Sequence, residues 1–317
     1  MVRAVIDRAG ELAALGTAGC WVVSALAFER AGKRIGSLSL NLIRLVIALV
    51  PLSVWGLLSR GHALPVDASA TSWAWLSLSS LIGLVLGDLC LFRAFVLIGP
   101  RLATLIMAST PVWTAVFGFV FLGEVLGARE LLGIGLTIAG IAWAVSGRQP
   151  AAPEAPAEAA EPASVNPVAE PSRWRFASNG VALAIAGALG QAGGLVASKF
   201  GMGDYDPFAA TQIRVLAAIV GFAGLITAWG WWPRVRAAVR DREAMAPATL
   251  GAFAGPFLGV GLSLLAVQLA PAGIAASLMA TTPILMLPVA WIRGERVGTS
   301  GLLGALLAVA GVAMLLR

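Results

Sequence analysis

Apolar residues fill this chain in long, unbroken stretches, and polar residues gather between them. Ten such runs fall near 11–28, 38–58, 73–98, 101–122, 130–146, 178–198, 208–232, 249–270, 273–292 and 299–316. Most approach the roughly 20 residues that carry a helix across about 30 Å of hydrocarbon. None alternates with period two, so the pattern predicts helices and argues against a β-barrel. Runs three to five are separated by only a few residues, and their borders are the hardest to place. The interval 148–175 differs in kind, since QPAAPEAPAEAAEPASVNPVAEP is rich in Pro, Ala and Glu and has no apolar period. Such a stretch is expected to be an extended or disordered linker.

The linker divides the chain into expected units of 1–147 and 176–317, with five runs in each. The units repeat one another. Leu105–Pro111 reads LIMASTP and Ser277–Pro283 reads SLMATTP, with Gly-Glu following in each copy at Gly123-Glu124 and Gly294-Glu295. Gly133 and Gly140 match Gly304 and Gly311, and Asn41-Leu-Ile-Arg44 matches Thr211-Gln-Ile-Arg214. The offset drifts only from 170 to 172 across these anchors, which marks a duplication. Five crossings are an odd number, so the second unit must enter from the opposite side. The expected fold is therefore an all-α integral membrane protein with ten transmembrane helices, arranged as two inverted five-helix repeats.

Composition agrees. The 317 residues are 59% hydrophobic and 12% charged, and mean hydropathy is +0.88, whereas soluble domains carry about 25% charged residues. A net charge of +6 would suit nucleic acid, but the basic residues lie mostly in short loops and no basic-aromatic motif appears, so no nucleic acid is expected. Cys20 and Cys90 lie inside apolar runs and read as small hydrophobes. His62 is the only histidine, which argues against a metal cluster; no cofactor is expected. The first apolar run leads into a chain that stays apolar throughout, so no cleavable signal is expected. Six Lys/Arg fall on the side of the chain ends and thirteen on the other. By charge bias both termini would lie outside.

Leu86–Pro100 (LGDLCLFRAFVLIGP), the paired Met-x-x-Thr-Pro helices and the two Gly-Glu turns with a glycine-spaced last helix carry a resemblance. On these residues the chain resembles the EamA-type branch of the drug/metabolite transporter superfamily. The resemblance implies a ten-helix transporter or exporter of small metabolites in the cell (inner) membrane, with a central cavity and both termini in the cytoplasm. That orientation opposes the charge bias. No site residues come with the resemblance, so the candidates rest on the residues themselves.

Pro111 and Pro283 lie about ten residues into their runs, near mid-membrane, where each frees a carbonyl, that of Met107 and that of Met279. With Thr110 and Thr282 these residues read as polar cavity lining and a flexible point, or as kinks repaired by neighbouring hydroxyls. Asp88 lies deep in its run, with Arg93 five residues later and Arg44 on the same membrane side. It is either a proton carrier or half of a fixed ion pair with one of the arginines. Its repeat equivalent is Val260. Arg44 and Arg214 are expected near opposite faces, each attracting an anionic group at its own mouth or snorkelling to the interface. Trp21 and Ser24 in the first run, with Gln191 in its counterpart, supply further lining. Glu124 and Glu295 are expected to cap the helices next in the chain. The Gly83/Gly87, Gly190/Gly194 and Gly255/Gly259 spacings suit close helix contacts.

No G-x-x-x-x-G-K-[ST] motif is present, so ATP is not the expected driver. The expected function is secondary transport, with export the favoured direction, of small polar or amphipathic metabolites such as amino acids by alternating access. Protons are a candidate coupling partner, and the protein would work in the lipid bilayer as a monomer or homodimer. The alternatives are an integral-membrane enzyme on lipid or prenyl substrates, and a non-transporting membrane subunit. Sparse, unclustered acidic residues disfavour the enzyme.

Overall fold

Glycine and proline set most of the helix ends. In the computed structural model, which describes residues 8–146, 179–292 and 299–316, α1 (Ala9–Ile35) and α2 (Ser37–Arg60) are separated only by Gly36 at φ 76°. The first helix outruns its apolar stretch by about two turns. Glu29 and Lys33 pair at 3.0 Å along it, and Arg34 reaches Asp241 at 3.0 Å and Glu243 at 2.8 Å. Ser69 caps α3 (Ala70–Ser80), which widens into a π-helical turn over Leu81–Gly87 and continues as α4 (Asp88–Met107). Then come α5 (Thr110–Leu122) and α6 (Ala128–Ser146).

The second half runs in parallel order. Asn179 caps α7 (Gly180–Met202) and Asp206 caps α8 (Pro207–Ala228). Next is a short helix that the apolar runs do not predict, α9 (Trp232–Arg240). It forms because α8 stops at Ala228, short of the end of run seven, Gly230 turns the chain at φ 68°, and the next residues alternate basic exposed positions with the buried Val235 and Ala238. Asp241 caps α10 (Arg242–Ala252), followed by a second π turn at Phe253–Gly259 and by α11 (Val260–Leu269). The chain ends with α12 (Ala272–Met279), α13 (Thr282–Ile292) and α14 (Thr299–Leu315). The linker 148–175 and Gly294-Glu295 fall outside the described residues.

Among the described residues the secondary structure is helical throughout, and six stretches are long and apolar enough to cross a bilayer. This is a multi-pass membrane protein. Its outer faces carry large apolar side chains such as Leu58 (80% exposed) and Val220 (73%), the reverse of what water would select.

The border between runs three and four keeps helical backbone, so α4 passes through Gly99-Pro100 without a coil. Even so, the chain turns back before the middle of α5. Leu97 and Ile98 pack on Gly180 at the start of α7, whereas Ala103 clusters with Ala184 and Phe117 lies against Gly193 further along it. Contacts that descend α7 and then ascend it place a reversal between Ile98 and Phe117.

Small residues set the closest contacts. A Cβ on Gly194 would sit 2.9 Å from the Cα of Gly83 and from the carbonyl of Ser79, so the π turn and α7 touch backbone to backbone. The second π turn meets α1 through small side chains, Gly255 against that of Ser24 and Gly259 against that of Cys20. In the antiparallel pair α6 and α14, Gly140 faces the carbonyl of Gly304 and Gly311 faces that of Gly133. Exchanging each residue for its repeat equivalent turns the first of these contacts into the second.

Candidate functional site

Two broken helices meet between the halves. The ladder stops at Ala108–Ser109 and again at Ala280–Thr281, each time just before a Thr-Pro pair. The threonine repairs what the proline frees. Thr110 Oγ1 donates to the Met107 carbonyl at 2.7 Å and Thr282 Oγ1 to the Met279 carbonyl at 2.9 Å. The preceding hydroxyls do the same one residue earlier, Ser109 to Ile106 O and Thr281 to Leu278 O, both at 2.7 Å.

Beside these breaks lies a cavity of about 300 Å³, lined in part by Trp21, Met107, Thr110, Pro111, Gln191 and Met279. A second cavity of about 260 Å³ adjoins it, sharing Trp21, Leu84, Gln191 and Val260 and adding Arg44 and Asp88. The lining comes largely as repeat equivalents: Trp21 with Gln191, Arg44 with Arg214, Met107 with Met279, and Asp88 with Val260.

Asp88 is the first residue after the π turn. Its Oδ2 accepts from Arg44 Nη2 at 3.0 Å and its Oδ1 from Gln191 Nε2 at 2.9 Å. Gln191 Nε2 also reaches the Gly83 carbonyl within the π turn at 3.3 Å. The carboxylate thus bonds one partner from each half. Only 12% of the Arg44 side chain and 13% of the Asp88 side chain are exposed, and the Arg44 guanidinium stands 5.3 Å over the Phe28 ring. Arg214 lines the larger cavity, is 4% exposed, and interacts with the Asp88 charge. Its carbonyl accepts from Ser80 Oγ at 2.6 Å, tying α8 to α3 at this point.

Several sequence expectations change. Arg44 and Arg214 stand roughly 10 Å in from the starts of their helices, but the Arg44 side chain reaches inward to the Asp88 carboxylate and Arg214 lines the larger cavity, instead of the two serving separate mouths. Arg93 is the other candidate partner of Asp88 in the sequence; the pairing is with Arg44, and Arg93 lines neither cavity. Ser24 lines neither cavity, because its hydroxyl donates to the Gly251 carbonyl at 3.2 Å and its side chain fills the notch over Gly255. Thr282 and Pro283 also lie outside both linings, with Thr282 Oγ1 turned toward the Ala18 carbonyl of α1 at 3.5 Å. Ser263 and Leu84 join the larger cavity. A lone serine or leucine in an apolar run gives no signal of that kind.

On the side of the chain ends, polar contacts bind the halves together. Glu124 does not cap α6. Its Oε2 accepts from the Ala272 N–H at 2.7 Å, at the start of α12, and its Oε1 pairs with Lys199 Nζ at 2.6 Å. Lys199 Nζ donates in turn to the Ala270 carbonyl at 2.7 Å. Nearby, Arg60 Nη1 donates to both Asp67 oxygens at 2.7 and 2.8 Å and to the Tyr205 hydroxyl at 2.8 Å. Burial, then the hydrogen bond to Asp67, pushes the Tyr205 phenol up to about 12.

Comparison with known proteins completes the picture. The EamA-like transporter family matches residues 8–146 and again residues 178–317. The threonine/homoserine exporter RhtA of Escherichia coli strain K12 is 30% identical over 139 residues, 42% of this chain and 44% of that protein. Its counterparts in strains O6:H1 and O157:H7 match equally. The chain thus matches less than half the length of these curated relatives. A solved crystal structure superposes with TM-score 0.71 over 96% of this chain and 94% of the other at 19% identity, a likeness of fold alone.

Proposed function

The chain belongs to the EamA-like transporter family, and from that premise we propose that it is a secondary transporter exporting small polar or amphipathic metabolites of the amino-acid class across the cell (inner) membrane. The observation that carries this reading is the paired cavity, lined at equivalent positions by both halves. A chamber shared in this way can face either side if one half rocks against the other. The units would be 1–147 and 176–317, joined by the linker 148–175, with ten crossings and a pseudo-twofold axis in the membrane plane. The reciprocal contacts of Gly140 with Gly304 and Gly133 with Gly311 support that axis, because only an antiparallel exchange of halves maps one contact onto the other. Similarity to the threonine/homoserine exporter of Escherichia coli supports the cargo class.

Glu124, Lys199 and the start of α12 form the closed gate on the side of the chain ends, and the broken helices supply the bending points. Asp88, held by Arg44 and Gln191, couples the halves at the centre. This fixed pair is preferred to the proton-carrier reading because both carboxylate oxygens already accept donors.

Counterflow tests the proposal. Liposomes containing only the purified protein and loaded with unlabelled L-threonine are expected to accumulate external labelled L-threonine transiently. Accumulation no greater than in empty liposomes, for threonine, homoserine and serine alike, contradicts it and favours the enzyme or subunit alternatives.

A further inference from the structure

The two adjoining cavities hold three ionisable side chains, Arg44, Asp88 and Arg214. Two positive charges therefore face one negative charge at membrane depth, where an uncompensated charge is costly. Asp88 engages Arg44 and Gln191 through its two oxygens. Arg214 is left over. Its Nε is buried without an acceptor, and among the described residues no side chain or carbonyl accepts a hydrogen bond from its guanidinium. It nonetheless lines the larger cavity while being only 4% exposed. A planar fork of N–H donors in such a place matches a carboxylate, which can take two parallel bonds from it.

The hydroxyls in the same cavity have the opposite character. Thr110 donates its only hydroxyl proton to the Met107 carbonyl at 2.7 Å, and Ser263 donates its own to the Val260 carbonyl at 2.7 Å. Each is left with lone pairs alone to offer a bound molecule, so each can accept but not donate. Beside Trp21 and Gln191, residues such as Leu84, Leu195, Ala276 and Met279 make much of the remaining wall apolar. At about 300 Å³ the space suits a small molecule.

Resting on the transport reading above, we infer that Arg214 anchors the carboxylate of a small zwitterionic cargo and that Thr110 and Ser263 accept from its ammonium group. The cargo class is thereby narrowed to α-amino acids with a short side chain, against amines, neutral metabolites and N-blocked acids. The carboxylate gives Arg214 the local counter-charge it lacks, while the ammonium group leaves the net charge of the cavity unchanged.

Calorimetric titration of the purified full-length protein with L-threonine, L-threoninamide and N-acetyl-L-threonine tests this. The wild-type protein should bind threonine about tenfold or more tightly than the amide, and likewise than the N-acetyl compound, as expected for losing a charge-assisted bond. Arg214→Gln should bind acid and amide alike, and Arg214→Lys should keep part of the preference. The wild-type comparison needs no variant to fold. Equal binding of acid and amide by the wild type, no binding of any of the three, or an unchanged acid preference in Arg214→Gln overturns the anchor. Equal binding of the N-acetyl compound overturns the ammonium contact. Counterflow by the wild type is read separately, so a failed anchor is distinguishable from a failed transport reading.

Discussion

A carboxylate at the level of Asp88 survives only because other residues surround it. Arg44 and Gln191 each supply a donor, and removing one member of such a buried pair typically costs about 3–5 kcal/mol, because the other charge is left alone. Asp88→Asn would leave Arg44 and Arg214 facing each other with no counter-charge. The expected result is a clearly lowered thermal midpoint and loss of counterflow at every pH. Counterflow that survives but no longer depends on pH would assign Asp88 to proton carriage instead. In the sequence, Asp88 stands out as a deep acidic residue, and its non-equivalence to Val260 is visible from the repeat. Its partner is not. Arg44 and Arg93 are both within reach along the chain, and the choice depends on how α2 and α4 pack, which no local spacing encodes.

Helices in this protein are shaped where they touch, more than by their own preferences. The two π turns, Leu81–Gly87 and Phe253–Gly259, occupy equivalent places and press glycines against α7 and α1. A π turn adds a residue to the turn, which rotates the downstream residues by roughly 100° and helps bring Asp88 and Val260 round to the cavity. The sequence shows the glycine spacing but not the widened turn, since the same letters also fit a straight helix. The Thr-Pro breaks are legible, because a missing N–H has only one local consequence. The α6–α14 contact makes a prediction at this scale. A side chain on Gly140 would meet the Gly304 carbonyl at 2.6 Å, whereas nothing lies within 4 Å of one on Gly135. Gly140→Leu should therefore lower the thermal midpoint by the equivalent of about 1–3 kcal/mol of overpacking, and Gly135→Leu should leave it nearly unchanged. Equal midpoints for the two variants would contradict the backbone contact.

At the scale of the whole molecule the duplication does most of the explaining. It accounts for paired breaks, paired π turns, reciprocal glycine contacts and a cavity with equivalent residues on both walls. Charge does not obey it. Asp88 faces Val260 across the repeat, and Glu124 of the first half closes on Lys199 and Ala272 of the second. Under the proposed rocking motion, equal scaffolds with unequal charges give the two end states different energies. The most direct measurement is access to the shared chamber. In a variant with Cys20 and Cys90 replaced by Ala, Thr110→Cys should react with a membrane-impermeant thiol reagent applied from either face of oriented vesicles, and L-threonine should slow the reaction from both. Reaction from one face only, or from neither, would contradict a chamber that opens alternately between the two halves.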